Sequence, residues 1–290
     1  MSAGSAITID VDGVGHYHAI HGLAPPRGGD PVWRVGVPRV LELCAAHHVR
    51  ATFFVVTADL ADADARALVR RAYDAGHEIA SHSHTHRYDL STLAPAVIED
   101  DLRRSLEVIT EVTGERPRGF RAPGYTLSPA LVDAIAALGF AYDSSVMEAP
   151  AYWAARALAR VALRARGRRS VSQLGDPRQF LPGFAPRGVV ELPITGALGW
   201  PWLGTTLALL PTPVGVLTTA LARASARAHP VVLELHAIDL CDGTDGFDGA
   251  LVRAQRDLAV PLARKRRRLD AAVASLAPSA RPLAQWAAER

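Results

Sequence analysis

Residues 63–86 read ADARALVRRAYDAGHEIASHSHTH and contain one complete structural unit. Ala63 to Ala75 carries a helical pattern, Gly76 stops it, Glu78 to Ser81 forms a short strand, and His82-Ser83-His84-Thr85-His86 follows at the strand's end. A helix that returns to a strand ending in reactive side chains is the repeating unit of parallel α/β architecture. Outward from this unit the same alternation recurs. Further strands are expected at Ile7 to Asp12, Ala51 to Thr57, Gly119 to Arg121, Ala141 to Asp143, Val189 to Pro193 and Val231 to His236. Helical patterns at Pro38 to His48, Pro95 to Thr113 and Pro129 to Leu138 lie between them, the last two opening on a first-turn proline. Seven units and no linker or repeat predict a single α/β domain over residues 1–290, with a helical region at 250–290.

Composition narrows the class. The 290 residues are 49% hydrophobic and 21% charged, as in a globular chain able to bury a large core. Cys44 and Cys241 give no disulfide framework and no metal-ligand spacing. A net charge of +3 without aromatic-interleaved basic patches argues against nucleic acid as a partner. The opening MSAGSAITIDVDG has no basic leader and no apolar signal segment, so a cytoplasmic protein is expected.

Candidate chemistry falls at the strand ends. Asp10 and Asp12 alternate with Ile9 and Val11, so both carboxylates point to one side of the first strand. Two like charges so close call for a cation or a guanidinium, unless they simply cap the loop at Gly13. His82 and His86, four apart, can face one divalent ion, with His84 pointing elsewhere. Two imidazoles and a carboxylate suit zinc first, then cobalt, manganese or nickel, and leave positions open for water and substrate.

These segments resemble the polysaccharide deacetylase family, also called NodB homology or carbohydrate esterase family four, whose domain is a distorted (β/α)7 barrel. The family's first motif is usually Asp-Asp-Gly; here it reads Asp10-Val11-Asp12-Gly13, a spaced form similar to that of some peptidoglycan deacetylases and of deformylases acting on lipid-linked formamido-arabinose. His82-Ser83-His84-Thr85-His86 matches the second motif in full. By resemblance Asp10 is the general base and Asp12, His82 and His86 hold one divalent metal, with the two aspartate roles exchangeable. The third motif, Phe120-Arg121-Ala122-Pro123-Gly124-Tyr125, implies that Arg121 orients the base and that the Pro123 and Tyr125 region binds the oxyanion. The fourth, Tyr142-Asp143-Ser144-Ser145, makes Asp143 the partner of the acid histidine, and the fifth, Leu233-Glu234-Leu235-His236, makes His236 the general acid. The motifs span residues 7–240.

The resemblance implies metal-dependent hydrolysis of an N-acetyl or N-formyl amino sugar. Leu192 to Ala222 contains no charged residue, but its prolines argue against a membrane span; Gly199-Trp200-Pro201-Trp202-Leu203-Gly204 could line an acyl or prenyl groove or form barrel wall. Tyr152 to Arg169 sets Arg156, Arg160, Arg164 and Arg168 along one helix face, either solvated or resting on an anionic membrane, and Arg264 to Arg268 offers the same choice. These features favour a lipid-linked or nucleotide-linked substrate, with peripheral contact at the inner membrane face. Hydrolysis of small cyclic or linear amides such as ureides, and a barrel that binds carbohydrate without catalysis, are the alternatives. His16, His18 and His21 receive no role. Asp239 to Gly246 reads as a loop at the rim of the site.

Overall fold

The computed structural model describes residues 4–147, 149–165, 167, 171, 173–174, 188–197, 200–201, 204–209, 216 and 230–290. Seven strands form one sheet: β1 (Ser5–Val11), β2 (Thr52–Val55), β3 (Glu78–Ser81), β4 (Gly119–Phe120), β5 (Tyr142–Asp143), β6 (Val190–Glu191) and β7 (Val231–His236). Their order is β6-β5-β4-β3-β2-β1-β7 and every pairing is parallel. The sheet curls into the distorted barrel expected from the seven units. β1 lies between β2 and β7, with Asp10 level with Phe54 on one side and His236 on the other. The two edges approach at Thr195, whose amide donates to Val232 O (3.2 Å) and whose Oγ1 accepts from Val232 N (3.0 Å).

The alternation along β1 explains how the barrel is filled. Ile7, Ile9 and Val11 join the main core under the surrounding helices, so Thr8 and Asp10 turn the other way, into the barrel. Ala6, Phe54, Ala80, Tyr142 and Val232 fill its lower layer. Above them lies a polar layer, where the guanidinium of Arg121 sits 4.0 Å over the Phe54 ring and donates to Thr8 Oγ1.

The helices follow their sequence signals. The expected elements appear as α1 (Val14–Ile20), α2 (Val37–Ala46), α3 (Ala63–Asp74), α4 (Pro95–Thr113), α5 (Pro129–Ala137) and α6 (Pro150–Ala165), except that α1 has no counterpart in the sequence reading. Ile98, Leu102, Leu106 and Ile109 of α4 are buried at helical spacing. Asp62 caps α3 through Asp64 N and Ala65 N, and Ser128 caps α5 through Leu131 N. Ahead of α2 the chain makes a π-type turn, Val32–Gly36. Pro38 has no N–H to return to the preceding turn, and the backbone there runs wide. Among the described residues, no helix is long and apolar enough to cross a membrane. Gly199, Trp202 and Leu203 of the expected apolar loop, and Arg168, lie outside the described residues.

Candidate active site

Two strand ends bring the metal-type side chains together. Asp12 follows β1, and His82 and His86 follow β3; all three are buried. Asp12 Oδ1 lies 3.4 Å from His82 Nε2 and 3.4 Å from His86 Nε2, and the two nitrogens are 3.2 Å apart. Ligands about 2.0–2.1 Å from a tetrahedral zinc ion stand about 3.3–3.4 Å from one another, so the triangle has the right size for such an ion. Asp12 Oδ1 has no hydrogen-bond partner among the described residues. His82 Nδ1 is 2.8 Å from the Arg121 carbonyl, which fixes the proton there and leaves Nε2 free to ligate. Burial holds the His86 imidazole well below its ordinary pKa, so it stays neutral as a ligand must be.

The histidine loop is held by local chemistry. Asp101, buried on α4, accepts from His84 N (2.8 Å), Thr85 N (3.1 Å) and Thr85 Oγ1 (2.5 Å). Ser83 Oγ accepts from His86 N at 2.9 Å. Ser83 and His86 carry φ of 68° and 50°, a left-handed backbone that costs free energy and persists only where surroundings enforce it. His84 turns away, to Thr57 Oγ1 at 2.9 Å. His82→Ala is expected to weaken metal binding by more than about 100-fold, because it removes a ligand outright. Metal content after dialysis, read by mass spectrometry, checks this; full retention would refute the assignment.

Asp10 occupies the barrel side of this triangle. It is fully buried, with Oδ1 2.6 Å from Arg121 Nη1 and Oδ2 3.7 Å from His82 Nε2. Burial alone would raise its pKa, but the charges of Arg121, His82 and His236 outweigh it and hold the carboxyl below the ordinary range. Arg121 is anchored in turn, donating to Ser144 O (2.8 Å) and Ser144 Oγ (2.9 Å). The structure thus joins Arg121 to Asp10.

His236 closes the opposite side, its Nε2 4.0 Å from Asp12 Oδ2 and 3.2 Å from the Tyr125 hydroxyl. Burial would lower its pKa, yet Glu234, Asp10 and Asp12 lift it to about 9. In the metal-free protein the ring should therefore titrate at about 9 by NMR, and metal loading should lower that value, because a nearby dication disfavours the imidazolium. A folded value above the unfolded one of about 6.5 stabilises the metal-free fold at low pH, and that contribution fades as pH rises through about 9. A titration at the ordinary histidine value would contradict this.

Two expectations are corrected. Asp143 does not meet His236. It is buried in the barrel, where Ser145 Oγ donates to Oδ1 at 2.6 Å; burial raises its carboxyl and that of neighbouring Glu191, Glu191 the further. The two-residue strand β5 turns Asp143 toward its neighbour β6, with which it pairs at Glu191. The backbone around Tyr125 does not supply the expected oxyanion donors either. Pro123 has no N–H, and Tyr125 N donates to Ala122 O at 2.9 Å within the turn Pro123–Tyr125. The Tyr125 phenol is what reaches the site.

That phenol reveals a residue the sequence reading passed over. Tyr125 Oη donates to Glu234 Oε1, and Glu234 is fully buried 3.7 Å from His236 Nε2. Burial and the Asp10 charge raise the Glu234 carboxyl well above its ordinary pKa. A glutamate two residues before His236 in an otherwise apolar strand was the available signal.

Asp30 and Asp59 shape the turn after β1. Asp59 accepts from Gly13 N at 3.0 Å and Asp30 from Val14 N at 2.7 Å. A Cβ at Gly13 would come within 2.7 Å of Asp30 and 2.8 Å of Asp59, so only glycine fits. Among the unassigned histidines, the His16 ring lies 4.4 Å from that of His86, buried His18 Nε2 lies 2.7 Å from Asp248 Oδ2, and His21 bonds Gln255 at 2.8 Å.

A cavity of about 420 Å³ opens over the site, lined by Asp12, His82, His86, Tyr125 and His236 and walled by α6. A second cavity of about 420 Å³ meets it at His86 and Tyr88. Arg156 and Arg160 of α6 face the first cavity, while Leu158 and Val161 are 70% and 67% exposed. The arginine face expected to be solvated or on a membrane thus turns two of its members inward.

Residues 30–142 match the model of the polysaccharide deacetylase family. A peptidoglycan deacetylase of Helicobacter pylori is 33% identical over 113 residues, covering 39% of this chain and 38% of that protein. A chitooligosaccharide deacetylase of Bradyrhizobium is 38% identical over 87 residues, 30% of this chain and 38% of the other. The chain thus spans well under half the length of these curated relatives. A provisionally named polysaccharide deacetylase of Mycobacterium smegmatis superposes with a TM-score of 0.59 at 20% identity, covering 99% of this chain and 90% of that one. The chitin deacetylase of Colletotrichum lindemuthianum gives 0.51 at 15% identity over 98% and 87%. The family match falls on the strands and loops that carry His82, His86 and Arg121, so residues 30–142 of this chain are similar to the polysaccharide deacetylase family.

Proposed function

We propose that the protein is a metal-dependent hydrolase that removes an N-acyl group from an amino sugar. The observation that carries this reading is the metal-sized triangle of Asp12, His82 and His86, flanked by an ionised Asp10 and a charged His236. A divalent ion held by the triangle, zinc by its donor set, would polarise the acyl carbonyl and acidify a water. Asp10 accepts the proton of the attacking water, and Arg121 keeps it ionised in readiness. His236 delivers its proton to the departing nitrogen, with the Tyr125 hydroxyl fixing the ring. Water is consumed, the amide C–N bond breaks, and a carboxylate and a free amine leave.

The named deacetylase activities of the relatives support an N-acetylated sugar as substrate. Two cavities meeting at His86 and Tyr88 suit a substrate that extends past the reacting residue. Within this reading a lipid-linked or nucleotide-linked envelope precursor, met at the inner membrane face, is the proposed natural substrate, and the exposed Leu158 and Val161 are compatible with that setting. Mass spectrometry of metal-loaded protein with N-acetyl and N-formyl amino sugars, free and lipid-linked, tests both levels. Deacylation of at least one sugar is expected; activity on ureides alone would replace the reading with hydrolysis of small amides.

A further inference from the structure

We propose that Arg156 and Arg160 form a subsite for an anionic substituent, a phosphate or carboxylate oxyanion, on the acylated sugar. The proposal rests on the deacylase reading and names the substrate class it serves.

The face of α6 that lines the cavity is Tyr152, Ala155, Arg156, Ala159, Arg160 and Leu163, a spacing of three and four that defines one helix side. Ala155 and Ala159 leave room between the larger side chains, so both guanidinium groups border open cavity. Asp12 is the only carboxylate among the described lining residues, and it belongs to the metal triangle. Among the described residues neither arginine has an acidic partner, whereas eight other arginines do. Among the described lining residues no carboxylate outside the metal triangle balances these two cations.

The donors of Arg156 are only partly used. Nη1 donates to Gly124 O at 2.7 Å, while Nε is buried without a partner among the described residues. The guanidinium is braced by the Trp153 ring at 5.3 Å. Gly124 makes this approach possible: at φ +61, a Cβ there would lie 2.8 Å from Arg156 Nη2 and 2.8 Å from Tyr88. Gly124 adjoins Tyr125, whose hydroxyl touches His236, so the two arginines and the acid histidine border one cavity. Arg160 has a long 3.4 Å contact to Gln173 and its remaining donors point to no described acceptor. A forked guanidinium with unspent donors matches a planar or tetrahedral oxyanion.

The test uses metal-loaded Asp10→Asn protein, which should hold substrate without turning it over, and calorimetry with three ligands: N-acetylglucosamine, its 1-phosphate, and its 3-O-carboxyethyl ether. At least one anionic ligand is expected to bind roughly 10- to 100-fold tighter than the neutral sugar, with the preference weakening as salt rises. The two anionic arms tell phosphate from carboxylate. Adding Arg160→Gln should reduce that ratio about tenfold, and Arg156→Gln should do the same; Arg160→Gln keeps the test valid if Arg156→Gln disturbs the Gly124 turn. Equal binding of neutral and anionic sugars, or a preference that survives both substitutions, overturns the subsite. Deacylation of neutral sugars by the unmodified enzyme alongside equal binding would leave the deacylase reading standing; no binding and no deacylation of any of the three would remove both.

Discussion

Asp10→Asn is expected to lower turnover by about 100- to 10,000-fold while leaving metal content unchanged. The substitution is isosteric, and the new carbonyl can still accept from Arg121 Nη1, which now lies 2.6 Å from Oδ1. What disappears is the negative charge on Oδ2, the buried oxygen that has no partner among the described residues and faces the metal triangle. Asp10 is not one of the three atoms that make up that triangle, so the metal should stay. Turnover and metal stoichiometry measured on the same preparation separate the possibilities. Full activity would remove Asp10 from the proton transfer, and loss of metal with activity would exchange its role with that of Asp12.

Arg121→Met should destabilise the fold by about 3–5 kcal/mol at neutral pH. Arg121 is fully buried and serves Thr8, Asp10 and both the carbonyl and hydroxyl of Ser144. Methionine preserves the packing against Phe54 but leaves Asp10 as an uncompensated buried charge. The sign of the pH dependence follows. With Arg121 present, Asp10 is held below its ordinary pKa, so its contribution exists above the unfolded value near 4 and is lost as pH falls through the lower folded value. Without Arg121, burial raises the folded pKa above the unfolded one, and the penalty must shrink as acid protonates the carboxyl. Denaturant unfolding at pH 7 and pH 5 reads this directly; an equal loss at both would point to packing alone.

The strands and helices were legible because local signals agreed with the tertiary outcome. Pro95 and Gly114 bound α4, and Glu78–Ser81 forms a strand with the boundaries expected. The metal trio and the Arg121 contact were legible through their motifs. The Asp143 pairing was not, since it depends on which neighbour a two-residue strand faces, and sequence order says nothing of that. Glu234 was overlooked because its chemistry comes from the register that sets β7 beside Thr8 and Asp10. The inward turn of Arg156 and Arg160 likewise depends on how α6 docks, which the periodicity of its charges leaves undetermined.

The position of β1 also governs when the chemistry can come into being. The strand bearing both aspartates bonds on one side to residues far along the chain; Thr8 Oγ1 reaches the Leu233 carbonyl 225 positions away. Contacts of such long sequence separation form late and slowly, after the closure entropy of the intervening chain has been met. On a ribosome, Asp10 and Asp12 emerge early yet wait for His236, Glu234 and the final β7 pairing before either has its working surroundings. Competence would thus arrive in one late step of maturation, and a nascent or truncated chain that lacks β7 would have its aspartates but none of the proton machinery around them.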